Sequence, residues 1–364
     1  MKIADIISYL ESVAPPSLQE NYDNAGLITG DPETEITGAL ICLDSIESII
    51  DEAISLNCNL VIAHHPIIFN GLKKINGKNY VERTIIKAIK NDIAVYAMHT
   101  NLDHMRMGVN EMIARKLELI DCKILSPKKG LLKKLVTFTP TAEAEKLRQA
   151  LFDAGGGHIG HYDHCSFSLE GTGSFRGDDT TKPFVGVKGE EHHESETRIE
   201  VIYPAAIERQ LLAALRQNHP YEEIAFDIYL LENAHQDIGA GLIGRLKHPT
   251  DEFLFLRFVK TIMQTSSIRH TDFRDKNVER VAVCGGSGSF LLQDAIAAGA
   301  DIFITADFKY HQFFDADGKI LIADIGHYES EQFTIVLITE LLQKKFPNFA
   351  LHFTKINTNP INYL

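Results

Sequence analysis

A chain of 364 residues, 45% of them hydrophobic, is too long for one small core and implies two or three domains. A formal charge of −13 argues against an exposed sequence-independent DNA-binding face, which needs clustered Lys and Arg, although a local basic pocket stays open. Five widely spaced cysteines without a CxxC pair, no membrane-length apolar run and no signal-peptide pattern lead us to expect a cytoplasmic protein with neither disulfides nor a cysteine zinc site.

In chain order, residues 3–14 read as a helix closed by Pro15-Pro16, and Glu20-Asn21-Tyr22-Asp23-Asn24-Ala25-Gly26-Leu27 as a polar loop. A strand at 39–43 ends at Asp44, and a helix at 46–56 keeps Ile46, Ile49, Ile50 and Ala53 at helical spacing. The apolar run 58–63 predicts a buried strand that ends on His64-His65-Pro66. A helix near 80–91, a strand at 93–98, the polar word His99-Thr100-Asn101-Leu102-Asp103 and a helix near 108–117 complete a βαβαβα run, which implies a parallel sheet. After Ser126-Pro127-Lys128-Lys129-Gly130 the pattern changes to βαββαβ, the ferredoxin-like order: strand 131–138, helix 141–153, a hairpin-like region 165–188, strand 198–203, helix 205–217 and strand 224–231. Asp237-Ile238-Gly239-Ala240-Gly241-Leu242-Ile243-Gly244 punctuates a second boundary. Beyond it the pattern is α/β again, with strands at 278–284, 301–305, 319–323 and 349–353, helices at 250–264, 290–298 and 308–314, and a long helix at 328–345. The expected divisions are 1–129, 130–235 and 236–364.

Open α/β sheets gather ligands beyond the carboxyl ends of their strands. His64 and His65 stand at such an end, where Pro66 holds His65 extended and both rings can lean toward one spot. On these two residues alone an ordinary loop-start pair explains the pattern equally well. His327 and Glu331 follow another strand at i,i+4 spacing and stack on one helix face, as a chelating pair or as a capping interaction. With Asp103, these five residues form a nitrogen and oxygen set without thiolate, suited to Zn, Mn, Fe or Ni. Five ligands exceed the need of one tetrahedral zinc and fit two divalent ions bridged by a carboxylate. The flanking segments then share one cleft, and the middle module is an insertion. His99, Asp307 and His311 lie near predicted strand ends as cleft-lining or ligand-orienting groups. His158, His161 and His164 fall in a glycine-rich loop whose spacing fixes no common face, and His192-His193 in a charged run read as a solvated loop. Gly285-Gly286-Ser287-Gly288-Ser289 reads as a tight turn, with phosphate binding as the lesser alternative.

Several words of this sequence resemble the GTP cyclohydrolase I type 2 homologues, the Ngg-interacting-factor-three-like proteins. They are Tyr22-Asp23-Asn24-Ala25-Gly26-Leu27, Ala63-His64-His65-Pro66, Thr100-Asn101-Leu102-Asp103, Gly241-Leu242-Ile243-Gly244-Arg245, Thr305-Ala306-Asp307 and Gly326-His327-Tyr328-Glu329-Ser330-Glu331. The resemblance spans nearly the whole chain. It implies a two-lobed α/β core with a dinuclear metal cleft on His64, His65, Asp103, His327 and Glu331, a homohexameric toroid, and a PII-like insert carrying Tyr203-Pro204 and His219-Pro220-Tyr221-Glu222-Glu223. Tyr22 stands where the family usually has tryptophan, and Ala306 where glycine is common. The activity implied is hydrolytic opening of the GTP imidazole ring by metal-bound hydroxide with release of formate, with Asp307, His311 or His99 moving protons; phosphoesterase chemistry needs the same site. The alternative is a non-enzymatic metal-binding ring that binds a protein, nucleic acid or metabolite.

Overall fold

The apolar run before the adjacent histidines folds as the strand Leu60–His65, buried from Leu60 to His64 and half-buried at His65. The computed structural model describes all 364 residues and forms two units, Met1–Pro127 with Asp237–Leu364, and Lys128–Gln236. In the first unit one sheet runs in the order Gly26–Thr29, Ala94–Ala97, Leu60–His65, Ala39–Asp44, Leu351–Phe353. All neighbours are parallel except Gly26–Thr29, which is antiparallel to Ala94–Ala97. The three central strands are apolar on both sides because both their faces are covered, while the two edge strands are only half-buried. Ile41, Ile62 and Tyr96 enter one core with the helix Ile3–Val13, while Leu40, Val61 and Val95 enter another with the helix Glu47–Ser55.

A second sheet in the same unit has the order Arg269–His270, Leu321–Asp324, Ile302–Ala306, Asn277–Ser287, Gly239–Asp251, Ile120–Pro127. Its three central strands from 277 to 324 are parallel, and the remaining pairings are antiparallel. Val281, Val283 and Ile304 join the core that holds Ile62 and Tyr96, so the two sheets share one apolar layer. That layer fixes the carboxyl end of Leu60–His65 relative to the chain near His327.

Several expectations change here. The boundary falls at Gln236–Asp237, in a turn, but from Gly239 onward the glycine-rich segment is not loop and opens the 13-residue strand Gly239–Asp251. Its glycines serve close approach: a Cβ on Gly239 would stand 2.3 Å from the Ser126 carbonyl oxygen, and one on Gly244 2.7 Å from Cys122 Sγ. The long helix at 328–345 divides into His327–Glu331 and Thr334–Lys345. Between them Phe333 is buried in the shared core and the Gln332 amide donates to the Met263 carbonyl. The helix at 308–314 is a 3-10 segment, Tyr310–Ala316, and Asp103 closes a helical turn, Thr100–Asp103, in place of a loop.

The second unit contains strands Leu132–Pro140, Ser166–Phe175, His192–Pro204 and Phe226–Leu231 with helices Ala144–Asp153 and Glu208–Asn218. Numbered one to four, these strands lie in the order 2-3-1-4, all antiparallel. Leu135, Ile199, Val201 and Tyr203 pack from one sheet face onto Leu147, Leu151, Leu211 and Leu215 of the helices. His192-His193 is not loop but the start of a strand, because His192 pairs with Phe175 in register and its charged neighbours alternate along an open hairpin.

Candidate metal centre

The site is assembled from strand ends and the first turns beyond them. His64 and His65 end Leu60–His65, Asp44 ends the neighbouring strand as the register partner of His65, and Asp103 closes the turn after Ala94–Ala97. His327 and Glu331 come from the short helix that follows Leu321–Asp324.

Each of three imidazoles is fixed through Nδ1. His64 Nδ1 donates to the Met98 carbonyl at 2.7 Å, His65 Nδ1 to Asp44 Oδ1 at 2.8 Å, and His327 Nδ1 to Asp307 Oδ2 at 2.6 Å. These bonds set the ring orientation and direct Nε2 inward, the arrangement found around metal-ligating histidines. The Nε2 atoms meet Glu331. His65 Nε2 and His327 Nε2 lie 2.9 and 3.1 Å from Glu331 Oε2 and 3.4 Å from each other. His64 Nε2 lies 3.7 Å from Glu331 Oε1 and 3.6 Å from Asp103 Oδ1. Two groups of three donor atoms thus share Glu331, one on each carboxylate oxygen.

The second group is too open for hydrogen bonding, and His64 Nε2 and Asp103 Oδ1 are both buried without a partner. Buried polar atoms are rarely left so, since each orphan costs about 1–3 kcal/mol. Ligands about 2.1 Å from a common ion stand roughly 3–3.5 Å from one another; the group on Oε2, at 2.9, 3.1 and 3.4 Å, is close to that spacing, and the group on Oε1, at 3.6 and 3.7 Å, is slightly wider. The donor atoms of His64, His65 and Glu331 all lie within 4.8 Å of one another and can hold a metal ion.

Electrostatics agree. Burial pushes Glu331 toward neutrality, but the charges of His327 and His65 and the hydrogen bond from His327 hold it well below the usual carboxylate range. Burial and the Glu331 charge raise Asp103 to about 7. Burial opposes charge on His65 and His327, yet Glu331 with Asp44 or Asp307 outweighs it, and they rise to about 10 and about 11. Without cations, protons neutralise this cluster.

Close approach to Glu331 depends on Gly286, whose φ is +61°. A Cβ there would meet Glu331 Oε1 at 2.3 Å and His327 Cε1 at 3.3 Å. Gly285 and Gly286 belong to the end of Asn277–Ser287, and the Gly286 amide donates to Ser330 Oγ at 2.9 Å. The expected tight turn is therefore a strand end that backs the donor cluster.

A cleft of about 780 Å³ opens over the cluster. His99 lines it, with Nδ1 donating to Asp23 Oδ1 at 2.7 Å, and its ring lies 5.4 Å from those of His64 and His65. Asp23 also accepts from the amide and hydroxyl of Thr100, and despite burial these bonds hold its pKa at about 2. Tyr22 and Phe69 stand at the wall with ring centroids 6.2 Å apart, both exposed, and Asn359 of the C-terminal segment lines the cleft as well. Asp307 acts on the site only through His327. His311 is a correction: in its 3-10 turn it is exposed, packs against Tyr310 at 5.2 Å and does not line the cleft. His158, His161 and His164 form no donor cluster; the His164 ring packs on Phe152 at 4.7 Å.

Sequence reading missed Asp44 and Asp23. Asp44 carries the signal used for the other residues, an acid at the end of a strand. Asp23 lies in an irregular loop; its place in the word Tyr22-Asp23-Asn24-Ala25-Gly26-Leu27 is its one sequence signal, and its contact with His99 gives its role.

Fold and site together define a mixed α/β protein with several sheets and a partly buried histidine-carboxylate cluster. The profile of the Duf34/NIF3 (NGG1p interacting factor 3) family matches residues 1–360, and the chain belongs to that family. A Bacillus subtilis protein named GTP cyclohydrolase 1 type 2 homolog is 39% identical over 365 residues, covering 99% of this chain and 98% of that protein. A Halalkalibacterium halodurans protein of the same name is 37% identical with both chains fully covered. Among solved structures, a Bacillus cereus protein related to NIF3 superposes with a TM-score of 0.87 at 38% identity, covering 100% of this chain and 99% of its own.

Proposed function

We propose that this protein is a hydrolase dependent on two divalent cations, acting on a nucleotide of the GTP class. The observation that carries the reading is the division of donor atoms about Glu331. Oε1 faces His64 and Asp103, and Oε2 faces His65 and His327. In this reading His64, Asp103 and Glu331 hold one ion, and His65, His327 and Glu331 the other. Zn, Mn, Fe and Ni all suit such a donor set. Bound there, the cations supply Lewis-acid polarisation and a water acidified toward neutrality.

The chain's own residues do the rest. Met98, Asp44 and Asp307 keep the three Nε2 atoms directed inward, where they would hold the cations. His99, held through Nδ1 by Asp23, presents its other nitrogen as the proton carrier beside the cluster. Tyr22 and Phe69 offer flat apolar surface for a purine, the homologues' name, GTP cyclohydrolase 1 type 2 homolog, supports a GTP substrate, and ring opening with formate release is what the family resemblance adds. We further propose, on family resemblance, a hexameric ring, a PII-like role for Lys128–Gln236 and a cytoplasmic setting.

The test is turnover. Metal-reconstituted protein is assayed against a nucleotide panel for formate and phosphate, beside Glu331→Ala. Formate from GTP in the wild type alone supports the reading. Phosphate alone moves it to phosphoesterase chemistry. No turnover of any nucleotide by fully loaded protein overturns it in favour of a non-enzymatic metal-binding assembly.

A further inference from the structure

The sheet of Lys128–Gln236 carries its helices on one face. Alternation turns Phe138, Glu196 and Arg198 to the other, where they line a cavity of about 680 Å³. That volume falls in the range of small-molecule sites. Its walls are largely apolar, from Phe138, Leu169, Phe175, Phe184 and the ring of Tyr221. Tyr221 stands between Phe175 and Phe184, with ring centroids 5.9 and 6.3 Å away.

One carboxylate is set into this aromatic wall. Glu196 Oε1 accepts from the Tyr221 hydroxyl at 2.8 Å, and no Lys, Arg or His lies within ion-pair distance of it. Arg198, the nearest guanidinium along the strand, also lines the cavity; it donates through Nη2 to Glu200 at 2.9 Å and lies over the Phe138 ring at 5.9 Å, with its buried Nε unpartnered, and makes no ion pair with Glu196. The facing strand is stripped of side chains at this level. Gly171 is the register partner of Glu196, and a Cβ added to it would meet only open space. A Cβ on Gly173 would collide with Glu196 Oε2 at 2.1 Å. Of the other charged groups lining the cavity, Glu170, Glu222 and Glu223 outnumber Arg176. A half-buried carboxylate without a counter-ion, flanked by aromatic faces, favours a cation over a neutral or anionic guest.

We propose that this cavity binds an organic cation, an ammonium or amidinium on a flat or apolar body. The charge sits on Glu196 beside the rings of Tyr221 and Phe175, and the body lies against Phe138, Leu169 and Phe184. Nothing in this site depends on the metal centre.

Calorimetric titration of the full chain tests it with three probes of like shape: 2-phenylethylammonium, 2-phenylethanol and 3-phenylpropionate. The ammonium is expected to bind once per chain and about tenfold or more tighter than the alcohol, with the carboxylate weakest. Glu196→Gln should bring the ammonium down to the level of the alcohol, and Glu331→Ala should leave its binding unchanged. Equal binding of the three probes by wild-type protein, a preference for the carboxylate, or no binding at all overturns the proposal. So does unaltered binding by a folded Glu196→Gln variant, or loss of binding in Glu331→Ala.

Discussion

His65 Nε2 and Glu331 Oε2 stand 2.9 Å apart although 266 positions separate them in sequence. The contact joins the end of a strand in one sheet to the helix that follows a strand in the other. Their shared apolar layer makes it possible, since Ile62 and Ile304 sit in one core. If cations bind as proposed, those that grip Glu331 would also hold the sheets' edges together and couple metal binding to the union of the two sheets.

Glu331→Gln keeps the shape of the side chain and removes its charge. We expect metal content to fall at least about tenfold, with the circular dichroism spectrum retained. Elemental analysis after dialysis decides the matter, and an unchanged metal stoichiometry would remove Glu331 from the site.

The orienting acids should matter almost as much. Asp44→Asn and Asp307→Asn leave each imidazole in place but weaken the bond that fixes its tautomer. Loss of such a partner typically lowers metal affinity about 10–100-fold. Competition with a chromophoric chelator measures it. Asp317→Asn, on an exposed turn, serves as the control.

Acidity gives an independent reading. In metal-free protein burial opposes charge on His65 and His327, but Glu331 and the Nδ1 partners lift them to about 10 and about 11. Both rings are thus protonated at neutral pH, and a cation at Nε2 must displace those protons. Affinity should rise with pH, and the calorimetric heat should change with the ionisation enthalpy of the buffer. For the metal-free fold the sign is the reverse. The charged rings' stabilisation is complete below about 6.5, the ordinary imidazole value, and disappears as pH rises through about 10 and 11. A chelator-treated protein whose melting temperature stays flat across that alkaline range would contradict the assignment.

Gly286→Ala tests the backing of the cluster. Its φ of +61° disfavours any side chain, and the new methyl would stand 2.3 Å from Glu331 Oε1. Strain of this kind costs about 1–3 kcal/mol. We expect a lower melting temperature together with weaker metal binding. Gly318→Ala, where φ is +65° with open space around the Cβ, should be destabilising without touching the metal.

The main features of the site were legible because strand ends are. Apolar runs that stop at His64-His65 or just before His327 mark where a sheet presents its edge, and the i,i+4 spacing placed Glu331 with His327. Orienting partners carry no such mark. Met98 contributes a backbone carbonyl, and Asp23 reaches His99 from a loop 76 positions away. His311 misled because proximity to a strand end says nothing about direction once the chain enters a 3-10 turn. The glycines at 239, 241 and 244 read as punctuation, although Gly239 and Gly244 serve close packing within a strand. Glycine signals both, and only the neighbouring backbone distinguishes them.

Removal of Lys128–Gln236 tests whether the metal centre belongs to the remainder alone. Every donor atom of the cluster comes from Met1–Pro127 or Asp237–Leu364. Pro127 and Gly239 are register partners in an antiparallel pair, so Pro127 and Asp237 are already close enough for a hairpin connection. The entry and exit of the excised segment are likewise adjacent, since the His235 amide donates to the Lys128 carbonyl at 2.8 Å. Joining Pro127 to Asp237 through a short Gly-Ser turn should therefore give a folded protein with the wild-type metal content. A folded deletion variant without metal would mean that the residues around Glu331 are not sufficient, and the placement of the cations on them would have to be abandoned.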